Sequence, residues 1–169
     1  MMQEDLAQTT AWVRLAQDVD LPEIRSLMAP HIDAGLLRPR RLVASEFLVS
    51  LDPCGLEEEG SALLGTVGLA PWTPKVLELG SLVSRRRGQG SLLVLAALDR
   101  ARVLGAARVV CLTGAPGFFS RLGFAPVGTG VPPHKQCAQG DAAVSWKAAR
   151  CALCPDADSC TQTLMEVWL

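Results

Sequence analysis

The chain has no tyrosine among its 169 residues and only two histidines, His31 and His134. The first absence removes a common proton donor from any mechanism. The second leaves two side chains whose ordinary titration falls near neutral pH. There is no charge excess either: 16 basic against 17 acidic residues give a net charge of -1. A dedicated nucleic-acid binder carries a strongly basic face, so that class is excluded, and no nucleic-acid partner is expected. Long apolar runs are missing too. The longest, Leu92 to Leu98, falls far short of the ~20 residues of a membrane helix, so no membrane partner is expected. The opening Met1-Met2-Gln3-Glu4-Asp5 is acidic and lacks the apolar stretch of a secretion signal, which points to a cytoplasmic, reduced protein.

Hydrophobic residues make up 49% of the chain, which rules out global disorder. The length suits one domain, able to bury roughly 70% of the unfolded chain's surface. Residues 1–11 read as a polar tail, and 12–169 as a single domain whose segment 137–160 is rich in cysteine. Six cysteines in a reducing compartment need a reason other than routine disulfides.

Patterning predicts a mixed α/β fold. Trp12 to Ala16 alternates like a strand. Asp20-Leu21-Pro22-Glu23 reads as a helix start with a capping box, followed by an apolar stripe at Ile24, Leu27 and Met28. A second short helix is expected near Arg40 to Ser45. Phe47 to Leu51 and Ala62 to Ala70 read as a hairpin around Cys54 and an acidic tip, Glu57-Glu58-Glu59, which is a solvated turn. Val76 to Ser84 is a strand. Ser91 to Leu104 is a helix with two nearly all-apolar first turns, expected to be central and buried. Arg108 to Thr113 is a β-branched strand, Ala115 to Leu122 a short helix and Phe124 to Val127 a strand. After a loop-rich stretch come a helix over Asp141 to Arg150, a turn over Cys151 to Cys160 and a final strand, Thr163 to Leu169.

The most informative segment is Val83-Ser84-Arg85-Arg86-Arg87-Gly88-Gln89-Gly90-Ser91-Leu92. A strand enters a loop with two glycines that opens a helix. Glycines allow a tight turn and close approach of a ligand, and a helix N-terminus offers N–H groups and a favourable dipole to an anion. A phosphate or pyrophosphate fits; so does an ordinary strand-to-helix turn with solvated arginines. A Walker loop would need Gly-Lys-Ser/Thr at its end, and a dinucleotide fingerprint would need glycine at position 93, where Leu93 stands.

Arg87-Gly88-Gln89-Gly90 after a strand and opening a helix resembles the acetyl-CoA pyrophosphate loop of the GNAT N-acetyltransferase superfamily. Leu79 to Val83 resembles that family's fourth strand and Arg108 to Thr113 its fifth. Phe118-Phe119-Ser120-Arg121-Leu122-Gly123-Phe124 resembles the helix and the glycine-phenylalanine step that follow. Gly35-Leu36-Leu37-Arg38-Pro39-Arg40, with Leu112-Thr113 ahead of Phe118-Phe119, is most similar to amino-acid N-acetyltransferases of the N-acetylglutamate synthase type. Three departures stand out. The strand-to-loop junction is about one residue short by comparison with the family. Leu92 replaces a residue that is often small. Cys160-Thr161-Gln162-Thr163 replaces a segment with Arg, Asn, Ser and Lys, which puts glutamate specificity in question.

The resemblance implies a single α/β domain: a mixed, mostly antiparallel sheet flanked by helices, with splayed central strands. It implies acetyl-CoA as cosubstrate and a small-molecule amine as acceptor, attacked directly in a ternary complex. The backbone at Leu82 and Val83 would lie along the pantetheine arm and offer an N–H to the oxyanion. The backbone from Arg87 through Gly88, Gln89, Gly90 and Ser91 to Leu92 would hold the pyrophosphate. Phe119 stands where the family often has a proton-donating tyrosine, so it reads as core or pantetheine wall. The thiolate then leaves unaided, or with help from water or Ser120. Glu78, four residues before Leu82 and on the same strand face by two-residue periodicity, is the first candidate base, with His31 and His134 as others. A solvated or ion-paired glutamate is the plainer alternative. Arg38 and Arg40 are candidates to fork onto a substrate carboxylate, or else solvated loop arginines.

Cys151, Cys154 and Cys160 follow a C-x2-C-x5-C pattern. A structural zinc site would need a fourth ligand, from Cys137 or His134. Free thiols and a disulfide remain open beside it. Two other readings of the chain stay open: a non-catalytic acetyl-CoA-binding or metal-stabilised interaction module, and acetylation of a protein N-terminus or an antibiotic amine. Exposed edges and apolar content permit a homodimer.

Overall fold

A computed structural model of the chain describes residues 12–52, 63–128 and 149–169. The expected polar tail, the acidic tip with Cys54, His134, Cys137 and most of the 141–150 helix lie outside the described residues. The elements are β1 (Trp12–Leu15), α1 (Leu21–Asp33), β2 (Phe47–Leu51), β3 (Leu63–Thr73), β4 (Val76–Ser84), α2 (Gln89–Val103), β5 (Arg108–Thr113), α3 (Pro116–Ser120), β6 (Ala125–Pro126) and β7 (Thr163–Trp168). They form a seven-stranded mixed sheet in the order β1-β2-β3-β4-β5-β7-β6. Packing divides the chain into two compact units, residues 1–66 with 81–93 and residues 67–80 with 94–169. The chain passes between them inside β3, β4 and α2, without a linker.

The first unit is built on the α1 stripe. Ile24, Leu27 and Met28 recur at helical spacing and are all buried. They pack with Phe47 and Val49 of β2, which alternate onto one face, and with Ala16, Leu63 and Val83. β1 pairs antiparallel with β2 from Trp12↔Leu51 to Leu15↔Leu48. The helix start is located as expected, but its cap is made differently. The Asp20 carboxylate accepts the N–H of Gln17 at 2.7 Å and forks onto the Arg14 guanidinium at 2.7 and 3.0 Å, so it serves the preceding 3-10 turn. Glu23 accepts the Leu63 N–H at 3.3 Å.

The hydrogen bonds from Arg14 hold the Asp20 carboxyl below its ordinary pKa. A depressed carboxylate stabilises the fold above the unfolded-state pKa, and that contribution disappears as pH falls through the folded value. Asp20→Asn should therefore cost about 1 kcal/mol at pH 7, a modest figure because Arg14 is partly solvated. Urea unfolding of the two proteins checks this: the gap should close below about pH 4, and a pH-independent gap would refute the assignment.

The second unit centres on β5, whose buried run Val109-Val110-Cys111 lies between two neighbours. It pairs with β7 over its full length, Arg108↔Trp168 to Thr113↔Thr163, in antiparallel register. Its parallel register with β4 covers only Val76↔Arg108, Leu77↔Val109 and Glu78↔Val110. Val76, Val110 and Leu164 form a cluster with Trp72, Leu112 and Val127. The buried Arg108 donates to Glu166 at 2.8 Å and lies 5.0 Å from the centre of the Trp168 ring.

Three expectations need correction. The short helix near Arg40 to Ser45 is a single 3-10 turn at Ala44–Glu46. Helix α2 is not buried all round: Leu93, Val94, Ala97, Leu98 and Ala101 face inward, while Leu92 and Leu95 are 43% and 47% exposed. An all-apolar pattern over two turns carries no information about which side meets solvent, and helix geometry gives one face to the core. Finally, Ser81 has φ 51, which interrupts the extended backbone of β4. Two-residue alternation requires unbroken extension, so the argument that placed Glu78 and Leu82 on one face does not hold across Ser81.

Candidate active site

The glycine loop turns where expected. Gly88 has φ 87, in the left-handed region that glycine adopts without a Cβ penalty. Among the backbone N–H groups from Arg87 to Leu92, that of Gln89 donates to the Arg86 carbonyl at 3.3 Å and that of Leu92 to the Gly88 carbonyl at 3.4 Å. Those of Arg87, Gly88, Gly90 and Ser91 donate to no described residue. Four donors lie around one glycine turn at the start of a 15-residue helix, a setting suited to an oxyanion. A Cβ added at Gly88 would meet nothing within 4 Å, so the space beside the turn is open.

The three loop arginines have different duties. The Arg85 N–H donates to the Leu64 carbonyl at 2.7 Å and its guanidinium to the Leu63 carbonyl at 3.2 Å. Arg86 pairs with Asp52 at 2.6 Å. Arg87 is exposed and makes no ion pair with a described residue. Asp52, the partner of Arg86, is 34 positions away from it and has no local signal in the sequence. The Gln89 side chain turns inward and is 8% exposed, with no partner for its Oε1 among the described residues. Val83 contributes its side chain to the core, and Leu82 is half-buried.

In the second unit Glu78 is half-buried, and its Oε2 accepts the indole N–H of Trp72 at 2.5 Å. Trp72, six residues before Glu78, belongs to no motif in the sequence; the β3-to-β4 turn brings the two together. The neighbouring Cys111 thiol is pushed up to about 12, chiefly by burial and secondarily by the Glu78 charge. It stays protonated at neutral pH and is no nucleophile. Phe119 is buried, with edge-to-face contacts to Phe118 at 5.0 Å and Phe124 at 5.3 Å. Ser120 is exposed at the end of α3, and His31 is half-buried in α1.

Arg40 is committed: it pairs with Glu46 and stacks over Phe47 at 5.1 Å from the ring centre. It also lines a small hollow with Arg25, Met28, Ile32 and Leu42. Arg25, exposed on α1, is the guanidinium that the sequence pattern did not single out. Arg38 is exposed outside this hollow's lining. Cys154 and Cys151 share one turn, with the Cys154 N–H donating to the Cys151 carbonyl at 3.0 Å. Cys160 is half-buried and forms no disulfide. No group of three or more His, Cys, Asp or Glu among the described residues is placed to hold a metal, so Cys151, Cys154 and Cys160 make no zinc site by themselves. No described helix is long and apolar enough to cross a membrane.

A strand, a glycine turn with four N–H groups that donate to no described residue, and a helix opening from that turn make a setting suited to an anion. The family profile of the acetyltransferase (GNAT) family matches residues 21–124, and the chain belongs to that family. It is an acetyltransferase. The whole fold is similar to Rv2747 from Mycobacterium tuberculosis, solved in complex with CoA and NLQ, at 23% identity and TM-score 0.68, covering 94% of this chain and 99% of that one. It is also similar to the N-acetylglutamate synthase from Neisseria gonorrhoeae, complexed with coenzyme A and N-acetyl-glutamate, at 20% identity and TM-score 0.68. There the match covers 94% of this chain but 35% of the synthase. The yncA protein of Salmonella typhimurium, solved with its cofactor acetyl-CoA, matches at 18% identity and TM-score 0.60, covering 95% and 94% of the two chains. No curated protein sequence matches the chain.

Proposed function

We propose that this acetyltransferase moves the acetyl group of acetyl-CoA directly onto the amine of a small molecule, an amino acid such as glutamate, within a ternary complex. The observation that carries the cosubstrate is the glycine turn, where the N–H groups of Arg87, Gly88, Gly90 and Ser91 have no described acceptor. A pyrophosphate supplies the negative oxygens that such a turn lacks, and Arg87 adds a charge at its rim. CoA brings the thioester whose carbonyl carbon the amine attacks. The chain's own residues hold the pyrophosphate, present the β4 backbone at Leu82 and Val83 to the pantetheine arm, and take the amine proton at Glu78.

Support for an amino-acid acceptor comes from the Gly35–Arg40 segment and from the fold shared with a synthase solved with N-acetyl-glutamate. Arg25 beside the Met28, Ile32 and Leu42 floor offers a cation above an apolar surface, a pairing that suits a carboxylate on a short carbon chain. On this reading the reaction belongs to the cytoplasm and to arginine biosynthesis. The test is thiol release from acetyl-CoA over a panel of amino acids, amines and peptides. Glutamate or a close relative should give the highest kcat/KM. Tight CoA binding with no turnover of any amine would overturn the enzymatic reading, and a preference for peptide N-termini would overturn the acceptor.

A further inference from the structure

Gly65 lies in β3, outside the loop motif and about twenty residues before it in sequence, next to the Leu64 that accepts the Arg85 N–H. Its surroundings differ from those of Gly35, Gly80, Gly88, Gly105, Gly114, Gly117 and Gly123, where an added Cβ would meet nothing within 4 Å. A Cβ built there would stand 2.6 Å from the Val83 carbonyl oxygen, 3.0 Å from Leu93 Cδ1 and 3.2 Å from Ser84 Cα. Real Cβ atoms do not approach backbone that closely, so any side chain at 65 must push away the last residues of β4. The same stretch of β3 holds the start of the loop. The Leu64 carbonyl accepts the Arg85 N–H at 2.7 Å, and the Leu63 carbonyl accepts the Arg85 guanidinium at 3.2 Å. Ser84 in turn donates its hydroxyl to the Arg86 carbonyl at 2.7 Å.

We infer that Gly65 and Arg85 are positioning residues for the cosubstrate, acting through the segment Val83 to Arg86 that leads into the glycine turn. The inference rests on the reading of that turn as the pyrophosphate site. Glycine at 65 lets two backbones run in contact, and the Arg85 fork locks the register of that contact. The loop that follows has few bonds of its own: four of its N–H groups have no described acceptor, so its placement depends on the strand end that carries it. Arg85 acts here as a structural clamp and Arg86 pairs with Asp52, which leaves Arg87 as the loop arginine with no ion pair to a described residue.

The experiment measures CoA affinity by calorimetry and thermal stability in parallel, on the full chain. Gly65→Ala should weaken CoA binding about tenfold, since a shift of a few tenths of an ångström to an ångström misaligns several hydrogen bonds together. Arg85→Met should weaken it several-fold while leaving Arg86 and Arg87 intact. In turnover assays both variants should raise the KM for acetyl-CoA and leave the acceptor KM within about threefold, a split that loss of stability alone would not produce. Folded Gly65→Ala protein with unchanged CoA affinity would overturn the inference. If that variant does not fold, Arg85→Met decides, and unchanged affinity there overturns it equally. If wild-type protein binds CoA but turns over no amine, the affinity measurements still decide the positioning role. If wild-type protein binds no CoA, the pyrophosphate reading itself has failed.

Discussion

Replacing Gly88 with valine should raise the Kd for CoA, and the KM for acetyl-CoA, by about a hundredfold. Gly88 has φ 87, and a β-branched residue held there is strained by roughly 1–3 kcal/mol. A Cβ at 88 meets nothing within 4 Å, so the penalty is conformational and not a clash, and the turn relieves it by changing shape. A changed turn redirects the N–H groups of Arg87 and Gly88 and separates them from those of Gly90 and Ser91. Losing one or two charge-assisted hydrogen bonds to phosphate, at roughly 1.5–3 kcal/mol each, reaches about 3 kcal/mol, which is a factor of about 100. The turn is exposed, so the melting temperature should move by only a few degrees. Calorimetric titration with CoA checks the affinity, and a Kd within about threefold of wild type would show that the turn does not hold the pyrophosphate. Gly88→Ala should fall between the two, since alanine tolerates positive φ better than valine.

The loop could be read from sequence because its signal is local. Two glycines, a preceding strand and a following helix occupy one short stretch, and glycine is the residue type that tolerates the positive φ found at Gly88. The strands were legible for a related reason. Arg108–Thr113 has its observed bounds because a run of β-branched residues between Ala107 and Gly114 admits no other element. What escaped depends on pairs brought together by folding. Asp52 neutralises Arg86, Trp72 binds Glu78, Glu46 occupies Arg40, and Gly65 lies against Val83; none of these pairs has a sequence pattern. The capping box at Asp20 failed by competition, since the nearby Arg14 and the Gln17 N–H claim the same carboxylate. Two-residue alternation from Glu78 to Leu82 does not carry across Ser81, an ordinary residue in sequence whose positive φ interrupts the extended strand.

Glu78→Gln should lower kcat by about a hundredfold while leaving CoA affinity unchanged. A positioned general base contributes roughly 10²–10⁴-fold, and the amine must shed a proton before or as it forms the amide. The substitution separates chemistry from structure. The glutamine carbonyl can still accept the Trp72 indole N–H that Glu78 accepts at 2.5 Å, so the side chain keeps its anchor while its basicity is gone. Cys111, buried beside it, is already protonated at neutral pH and cannot substitute as a base. The variant should recover activity as pH rises, because solvent then supplies neutral amine without enzymatic help, whereas wild type should level off earlier. Trp72→Phe offers a graded companion: it removes the anchoring N–H, keeps the carboxylate and should cost less in kcat than Glu78→Gln. Steady-state rates against pH, with saturating acetyl-CoA, distinguish these outcomes. A Glu78→Gln enzyme with kcat within threefold of wild type and the same pH profile would make Glu78 a structural acceptor for Trp72 and leave the proton to water. A loss of kcat together with a matching loss of CoA affinity would instead place Glu78 in the architecture of β4.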